Sequence, residues 1–257
     1  MARRRRSWPT RWCRRPISDA LEISGLQAWY GKSHILQGLD LTVPVGEVVG
    51  LFGRNGAGKT TLLKSIMRQV PRVEGGIMLF GQDLTKLGTD ARARAGIAYM
   101  SQENRVFPDL SVAENIAVAA HAVASPRPLA DVLGLIGEIR DHLKRPAGRL
   151  SGGQQQLVAL ARCMTMNCRL LMMDEPTEGV MPQLVERIGE IIRAMARERG
   201  VSVLLVEQNI GLGLAACSSI RFIEKGRIVA SGTPESVVSE GLLERHLGVR
   251  ARVRRAA

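Results

Sequence analysis

The sequence predicts an α/β fold: a parallel sheet wrapped by helices, with an antiparallel β region near the N-terminus and a helical insert. Three observations predict it. Short apolar runs alternate with helical patterns along most of the chain. One of those runs leads directly into a glycine-rich loop and then into a helix-forming stretch. Between 111 and 148 the pattern changes to Ala-rich helix broken by prolines, with no strand signal.

Taken in order, residues 21–30 and 35–43 read as strands, with Gly31-Lys32 as the turn between them. The apolar run 47–52 ends at the glycine loop, as a buried parallel strand does. A helix over 59–69 follows and stops ahead of Pro71. Residues 77–80 and 97–100 are further strands. Ser111 and Glu114 form an S-x-x-E capping box that opens an Ala-rich helix, which Pro126 and Pro128 break. A second helical pattern covers 129–143. Then come a helix over 153–166, a buried strand over 170–173 ending in Asp174-Glu175, and a helix over 182–199 with an apolar stripe. A strand over 201–206 and a helix over 209–217 lead to a hairpin, 220–223 and 227–229, around Lys225-Gly226. An amphipathic helix over 233–247 closes the fold. There are no internal repeats. The organisation is a basic arm over 1–20, one domain over 21–247 with a helical subdomain at about 103–150, and a basic tail over 248–257.

The 257 residues can bury one full core, and 45% hydrophobic with 23% charged residues is ordinary for a globular protein. No stretch approaches the ~18 consecutive apolar residues of a membrane-spanning helix, so the chain is expected not to cross a membrane alone. A net charge of +12 suggests nucleic acid, but its location argues otherwise. Seven Arg and one Asp fall in 1–20 and four Arg in 248–257, leaving the domain nearly neutral. Such runs are ordinarily solvated; contact with anionic lipid headgroups or nucleic acid is their functional alternative, with Trp8 and Trp12 interleaved in the arm. The arm has no apolar segment after its arginines and is not expected to be a secretory signal. Cys13, Cys163, Cys168 and Cys217 form no C-x-x-C pair, and no His stands at zinc-finger spacing. Reduced thiols are expected, with Cys163 and Cys217 as core filler.

Gly53-Arg54-Asn55-Gly56-Ala57-Gly58-Lys59-Thr60 has the form G-x-x-x-x-G-K-T between a strand and a helix. Glycines let backbone N–H groups point at phosphate oxygens, and the helix start adds positive partial charge. Lys59 is placed to reach the β- and γ-phosphates, and the Thr60 hydroxyl to ligate Mg²⁺. Asp174, at a strand end, can hold Mg²⁺ through water. Glu175 is the candidate base that orients and deprotonates an attacking water. Adjacent carboxylates repel, so the pair calls for a cation; without the phosphate loop it would read as a solvated strand end. Leu150-Ser151-Gly152-Gly153-Gln154 is a second glycine turn at a helix start, an anion site with no phosphate of its own; a plain helix cap is the alternative.

With these motifs in this order, residues 21–247 resemble the ATP-binding subunits of ABC transporters. The resemblance implies the ABC ATPase fold on a P-loop NTPase core, with ATP and Mg²⁺ as cofactors and hydrolysis coupled to transmembrane transport. It implies that Gly53, Asn55, Gly56, Gly58, Lys59, Thr60 and Thr61 hold the nucleotide's phosphates while Tyr30 stacks on adenine. Gln102 would sense Mg²⁺ and the attacking water, joining Thr60 and Asp174 at the metal and Glu175 and Gln208 in catalysis. Ser151 and Gly153 would touch the γ-phosphate held by a second ATPase subunit, in a head-to-tail homo- or heterodimer. The segment 111–148 corresponds to the helical subdomain whose groove accepts a coupling helix from a transmembrane permease. The implied location is cytoplasmic, peripheral on the inner face of the plasma membrane, with a periplasmic solute-binding protein as indirect partner.

Two positions depart from the family pattern. Gln208 stands where His is usual; Gln can donate a hydrogen bond to the γ-phosphate but cannot shuttle a proton. Met181 stands where an Asp usually bridges the dimer. Together with Glu175-Pro176-Thr177-Glu178-Gly179, Val206-Glu207-Gln208-Asn209 and the run from Val106 to Asn115, these features resemble importers of branched-chain amino acids and of urea or short amides. Gly152-Gly153-Gln154-Gln155-Gln156 leans towards the urea branch. Two rivals remain: a soluble ATPase of the same superfamily acting on nucleic acid, which lacks the expected coiled coil or second cassette here, and a non-hydrolysing regulatory subunit, suggested by Gln208 and Met181.

Overall fold

The computed structural model describes residues 18–103 and 105–248. The expectations placed on the basic arm and tail, including Trp8, Trp12 and Cys13, lie outside the described residues. Strands β1 (Asp19–Tyr30), β2 (Ser33–Pro44), β4 (Arg72–Leu79) and the two-residue β5 (Gln82–Asp83) make an antiparallel sheet in the order β2-β1-β4-β5. The second sheet contains β3 (Val48–Phe52), β6 (Ile97–Met100), β7 (Leu170–Asp174), β8 (Ser202–Val206), β9 (Ser219–Glu224) and β10 (Arg227–Gly232). Its order is β10-β9-β3-β8-β7-β6, parallel from β9 to β6, with β10 closing an antiparallel hairpin. β3, β7 and β8 are buried at every residue, as parallel strands covered on both faces must be.

Alternation along those strands feeds two apolar cores. Leu171, Met173, Val203 and Leu205 point to one, shared with α5 (Gly152–Thr165) and α6 (Pro182–Arg199). Leu170, Met172, Leu204 and Val206 point to the other, shared with α1 (Lys59–Ile66) and the antiparallel sheet. Between 105 and 150 the described residues form α3 (Val112–His121), α4 (Leu129–Leu135) and two 3₁₀ segments, Gly137–His142 and Ala147–Arg149, with no strand. The capping box forms as expected: Glu114 N–H donates to Ser111 Oγ (3.2 Å) and Ser111 N–H to Glu114 Oε2 (2.7 Å).

Several boundaries differ from expectation. The helix after the glycine loop ends at Ile66 rather than 69, because Arg68 adopts a positive φ of 56° and a buried guanidinium takes over its last carbonyls. That group belongs to Arg92 on α2 (Thr89–Arg94), a helix the sequence did not announce; it donates to Ser65 O (3.1 Å), Ile66 O (2.6 Å) and Leu84 O (2.7 Å). The pattern over 129–143 is α4 followed by 3₁₀ turn, since Gly134 and Gly137 weaken a continuous helix. The closing helix is two, α8 (Pro234–Ser239) and α9 (Leu242–Leu247), parted where Gly241 takes φ +65°. The remaining helix, α7 (Ile210–Ala216), starts from an Asn209 cap. No helix among the described residues is long and apolar enough to cross a membrane. Cys163, Cys168 and Cys217 are free and buried, and burial pushes each thiol up to about 12.

Candidate active site

The loop from Gly53 to Gly58 joins buried β3 to α1. Gly56 and Gly58 take φ of +79° and +108°, open to glycine and strained for other residues, and a Cβ on Gly53 would overlap the Ile223 carbonyl. The start of α1 carries neither an acidic residue in its first turn nor a side-chain cap, so its first N–H groups face the loop. The hairpin turn at Lys225-Gly226 pins the loop from behind: Gly226 N–H donates to Ala57 O (2.9 Å), and Gln37 N–H of β2 donates to Gly226 O (3.0 Å).

Beside this loop lies a cavity of about 500 Å³ lined by Tyr30, Asn55, Gly56, Gly58, Lys59, Thr60, Thr61, Gln102, Glu175 and Gln208, all expected from the sequence, together with Ile35 and Glu178. Lys59 is buried; its Nζ donates to Gly53 O (2.8 Å) and stands 3.5 Å from Glu175 Oε1. Gln208 Nε2 lies 2.8 Å from both Glu175 oxygens and 3.0 Å from Asn55 Oδ1. Tyr30 lines the cavity and is 41% exposed. Gln102 Nε2 donates to Glu178 Oε2 (2.7 Å), so Gln102 is turned towards a carboxylate the sequence reading had not singled out.

Asp174 lies beneath the cavity, almost fully buried. Burial, with repulsion from Glu175, holds its carboxyl above the usual range, against hydrogen bonds from Thr60 and Tyr99 and the Lys59 charge. Tyr99 Oη lies 3.3 Å from Oδ2, and Oδ1 is buried without a hydrogen-bond partner. An orphaned carboxylate oxygen beside a threonine hydroxyl is a hard-oxygen donor set that suits Mg²⁺.

Ser151 and Gly153 do not line this cavity. Ser151 is the exposed N-cap of α5, in a second capping box: Gln154 N–H donates to Ser151 Oγ (3.3 Å) and Ser151 N–H to Gln154 Oε1 (3.1 Å). A Cβ on Gly153 would overlap the Leu184 side chain, so this glycine also serves packing against α6. Met181 is 69% exposed at the start of α6. Tyr99, Glu178, Gln156 and Glu207 had no site role in the sequence-based expectations. Gln156 Nε2 donates to Pro176 O, and Glu207 is buried behind Gln208. Gln156, Glu178 and Glu207 stand within the runs that carry the family resemblance, and Tyr99 within a strand, so no local signal marked any of them.

The family model described as ABC transporter matches residues 36–178. A probable branched-chain amino acid transport ATP-binding protein, LivF, of Archaeoglobus fulgidus is 33% identical, over 86% of this chain and 94% of that protein. The high-affinity branched-chain amino acid transport ATP-binding protein BraG of Pseudomonas aeruginosa is 34% identical, over 85% of this chain and 95% of that protein. The lipopolysaccharide export system ATP-binding protein LptB of Escherichia coli is also 34% identical, over 88% of this chain and 95% of that protein. Among solved structures, a nucleotide-free ATP-binding cassette from an ABC transporter superposes with a TM-score of 0.79 at 23% identity, covering 87% of this chain and 95% of that one. The phosphate-type loop, the carboxylate pair and these likenesses agree: the chain belongs to the ABC transporter family, as an ATP-binding subunit whose ATPase activity is coupled to transport.

Proposed function

We propose that this chain binds Mg-ATP in the cavity beside Lys59, hydrolyses it with Glu175 as base, and powers uptake of branched-chain or other hydrophobic amino acids through a permease at the cytoplasmic face of the membrane. The observation that carries the catalytic part is the convergence of Lys59, Gln208 and Thr60 on the Glu175–Asp174 pair. Backbone N–H groups of the loop and Lys59 cradle the phosphates, and Tyr30 takes the adenine. Thr60 and Asp174 would hold Mg²⁺, with Gln102 beside them; when bound, the ion neutralises charge on the phosphate oxygens. Glu175 takes the proton of the attacking water, and Gln208, donating to its carboxylate, fixes the direction of the free lone pairs. Gln208 cannot relay that proton, so it stays with Glu175 until product leaves. Ser151 and Gly153, which do not line this cavity, supply the lid for nucleotide held by a second ATPase subunit, the same or a different chain. Closure and opening of that pair would move the permease.

The amino-acid assignment rests on the likeness to LivF and BraG and on the Val206-Glu207-Gln208-Asn209 run. A second reading, lipopolysaccharide export, is favoured by the equal identity to LptB. Deletion of the gene in its host, with uptake of labelled leucine and labelled urea measured beside lipopolysaccharide at the cell surface, separates them. Lost leucine uptake, restored by complementation, is the expected result. Lost urea uptake moves the chain to the amide branch, and depleted surface lipopolysaccharide makes it an exporter subunit. If leucine uptake is intact in the deletion strain, the amino-acid assignment is wrong.

A further inference from the structure

Glu207 is a buried carboxylate that none of the steps above uses. Its side chain accepts four hydrogen bonds, two on each oxygen. Oε1 takes Thr177 N–H (2.9 Å) and Thr177 Oγ–H (2.6 Å); Oε2 takes Gln208 N–H (2.8 Å) and Asn209 N–H (3.0 Å). No Lys or Arg among the described residues forms an ion pair with it. A charge held this deep by neutral donors alone is costly unless every lone pair is used, and here each oxygen is used twice.

The two ends of this clamp are the two halves of the candidate catalytic centre. Thr177 lies in the loop that carries Glu175, and Gln208 is the residue whose amide meets the Glu175 carboxylate. Glu175 itself has a φ of 50°, a left-handed conformation that a non-glycine residue holds only when its surroundings over-determine it. Glu175 N–H is tied to Val206 O (2.9 Å), and Pro176 O accepts from Gln156. Glu207 supplies the remaining restraint, locking the β7 and β8 loops to each other from below.

We infer that Glu207 is a positioning residue for hydrolysis: it holds the strained Glu175 loop and the Gln208 backbone in register, so that the base and its hydrogen-bond donor meet. This rests on the reading of Glu175 as the base. In Glu207→Gln the side chain keeps its shape, but its NH₂ faces one of the two pairs of donors whichever way it turns.

The test measures kcat, KM for Mg-ATP and apo-state melting in the full chain with its permease, for Glu207→Gln, Glu175→Gln and the double variant. Thr177→Val, which removes only the hydroxyl donor, is the second probe if Glu207→Gln does not fold. The expected result is a kcat lower by roughly 10- to 100-fold in Glu207→Gln with KM nearly unchanged. Thr177→Val is expected to show a smaller loss of the same kind. The double variant should be no slower than Glu175→Gln, because a residue acting through Glu175 has nothing left to position. Unchanged kcat in both Glu207→Gln and Thr177→Val, a loss confined to KM, or a full further loss on the Glu175→Gln background overturns the inference while leaving Glu175 as base. If Glu175→Gln alone hydrolyses ATP normally, the reading of the base falls, and the positioning role with it.

Discussion

Glu175 sits where three constraints meet: a left-handed backbone, a lysine 3.5 Å away and a glutamine amide on its carboxylate. Its charge is therefore directed and not merely present. Replacing it with Gln is expected to lower turnover by roughly 10²- to 10⁴-fold, the usual weight of a general base, with ATP affinity largely kept. Steady-state phosphate release and calorimetric ATP titration read the two quantities. Unaltered phosphate release would remove Glu175 from the chemistry. The orphaned Asp174 Oδ1 leads to a second expectation. Chelation of Mg²⁺ with EDTA should abolish turnover, and Asp174→Asn should raise the Mg²⁺ concentration needed for half-maximal rate. A wild-type Mg²⁺ dependence in Asp174→Asn would count against the metal assignment. Lys59, Thr60, Asp174 and Glu175 were legible in the sequence because each motif is contiguous. Tyr99 and Glu207 were not, because their partners are 75 and 30 residues away along the chain.

Caps decide how the elements start and stop, and the role proposed for Ser151 would give one of them a function as well. Ser151 both caps α5 and offers its hydroxyl outward from an exposed turn. Asp caps helices about as well as Ser, but its charge repels phosphate. Ser151→Asp is thus expected to keep the melting temperature within a few degrees while ATPase activity of the assembled transporter is lost. Retained activity would reduce the turn to a cap. At the far end of α1, Arg92 holds the terminal carbonyls of the helix that opens under the phosphate loop. Ser65 O and Leu84 O keep backbone donors in Arg68 N–H and Leu87 N–H, so Arg92→Met strands the Ile66 carbonyl and should destabilise the fold by about 1–3 kcal/mol; Arg92→Lys should not restore it, since one ammonium cannot span the carbonyl sites that the guanidinium bridges. Denaturant unfolding of both variants checks this. The Ser111–Glu114 box was readable from four residues of sequence. The early stop of α1 was not, because the residue that sets it comes from a different helix.

At the scale of the molecule, the two sheets meet behind the phosphate loop. Gly226 is one close backbone contact between them, beside the apolar core they share: a Cβ there would overlap the Ile35 carbonyl, its φ is +74°, and its N–H holds Ala57. Gly226→Ala is expected to cost several kcal/mol, of the order seen for the severe class of single substitutions, and to weaken ATP binding in whatever fraction folds. Wild-type melting in that variant would show that this backbone contact contributes little and that the shared apolar core suffices to join the sheets. The sequence by itself determined the α/β class, the parallel core, the hairpin, the helical segment after Ser111 and most of the cavity lining. Those features rest on local periodicity, turn chemistry and a contiguous phosphate motif, which short stretches of chain encode. Tertiary structure alone decided that β4 joins the N-terminal sheet, that Arg92 helps to end α1, that Gln102 faces Glu178, and that Glu207 ties together the loops after β7 and β8 beside the candidate catalytic pair. Each of these is a polar or backbone contact between distant segments. Its energy depends on a few hydrogen-bond distances, and a linear pattern of apolar and polar residues does not specify them.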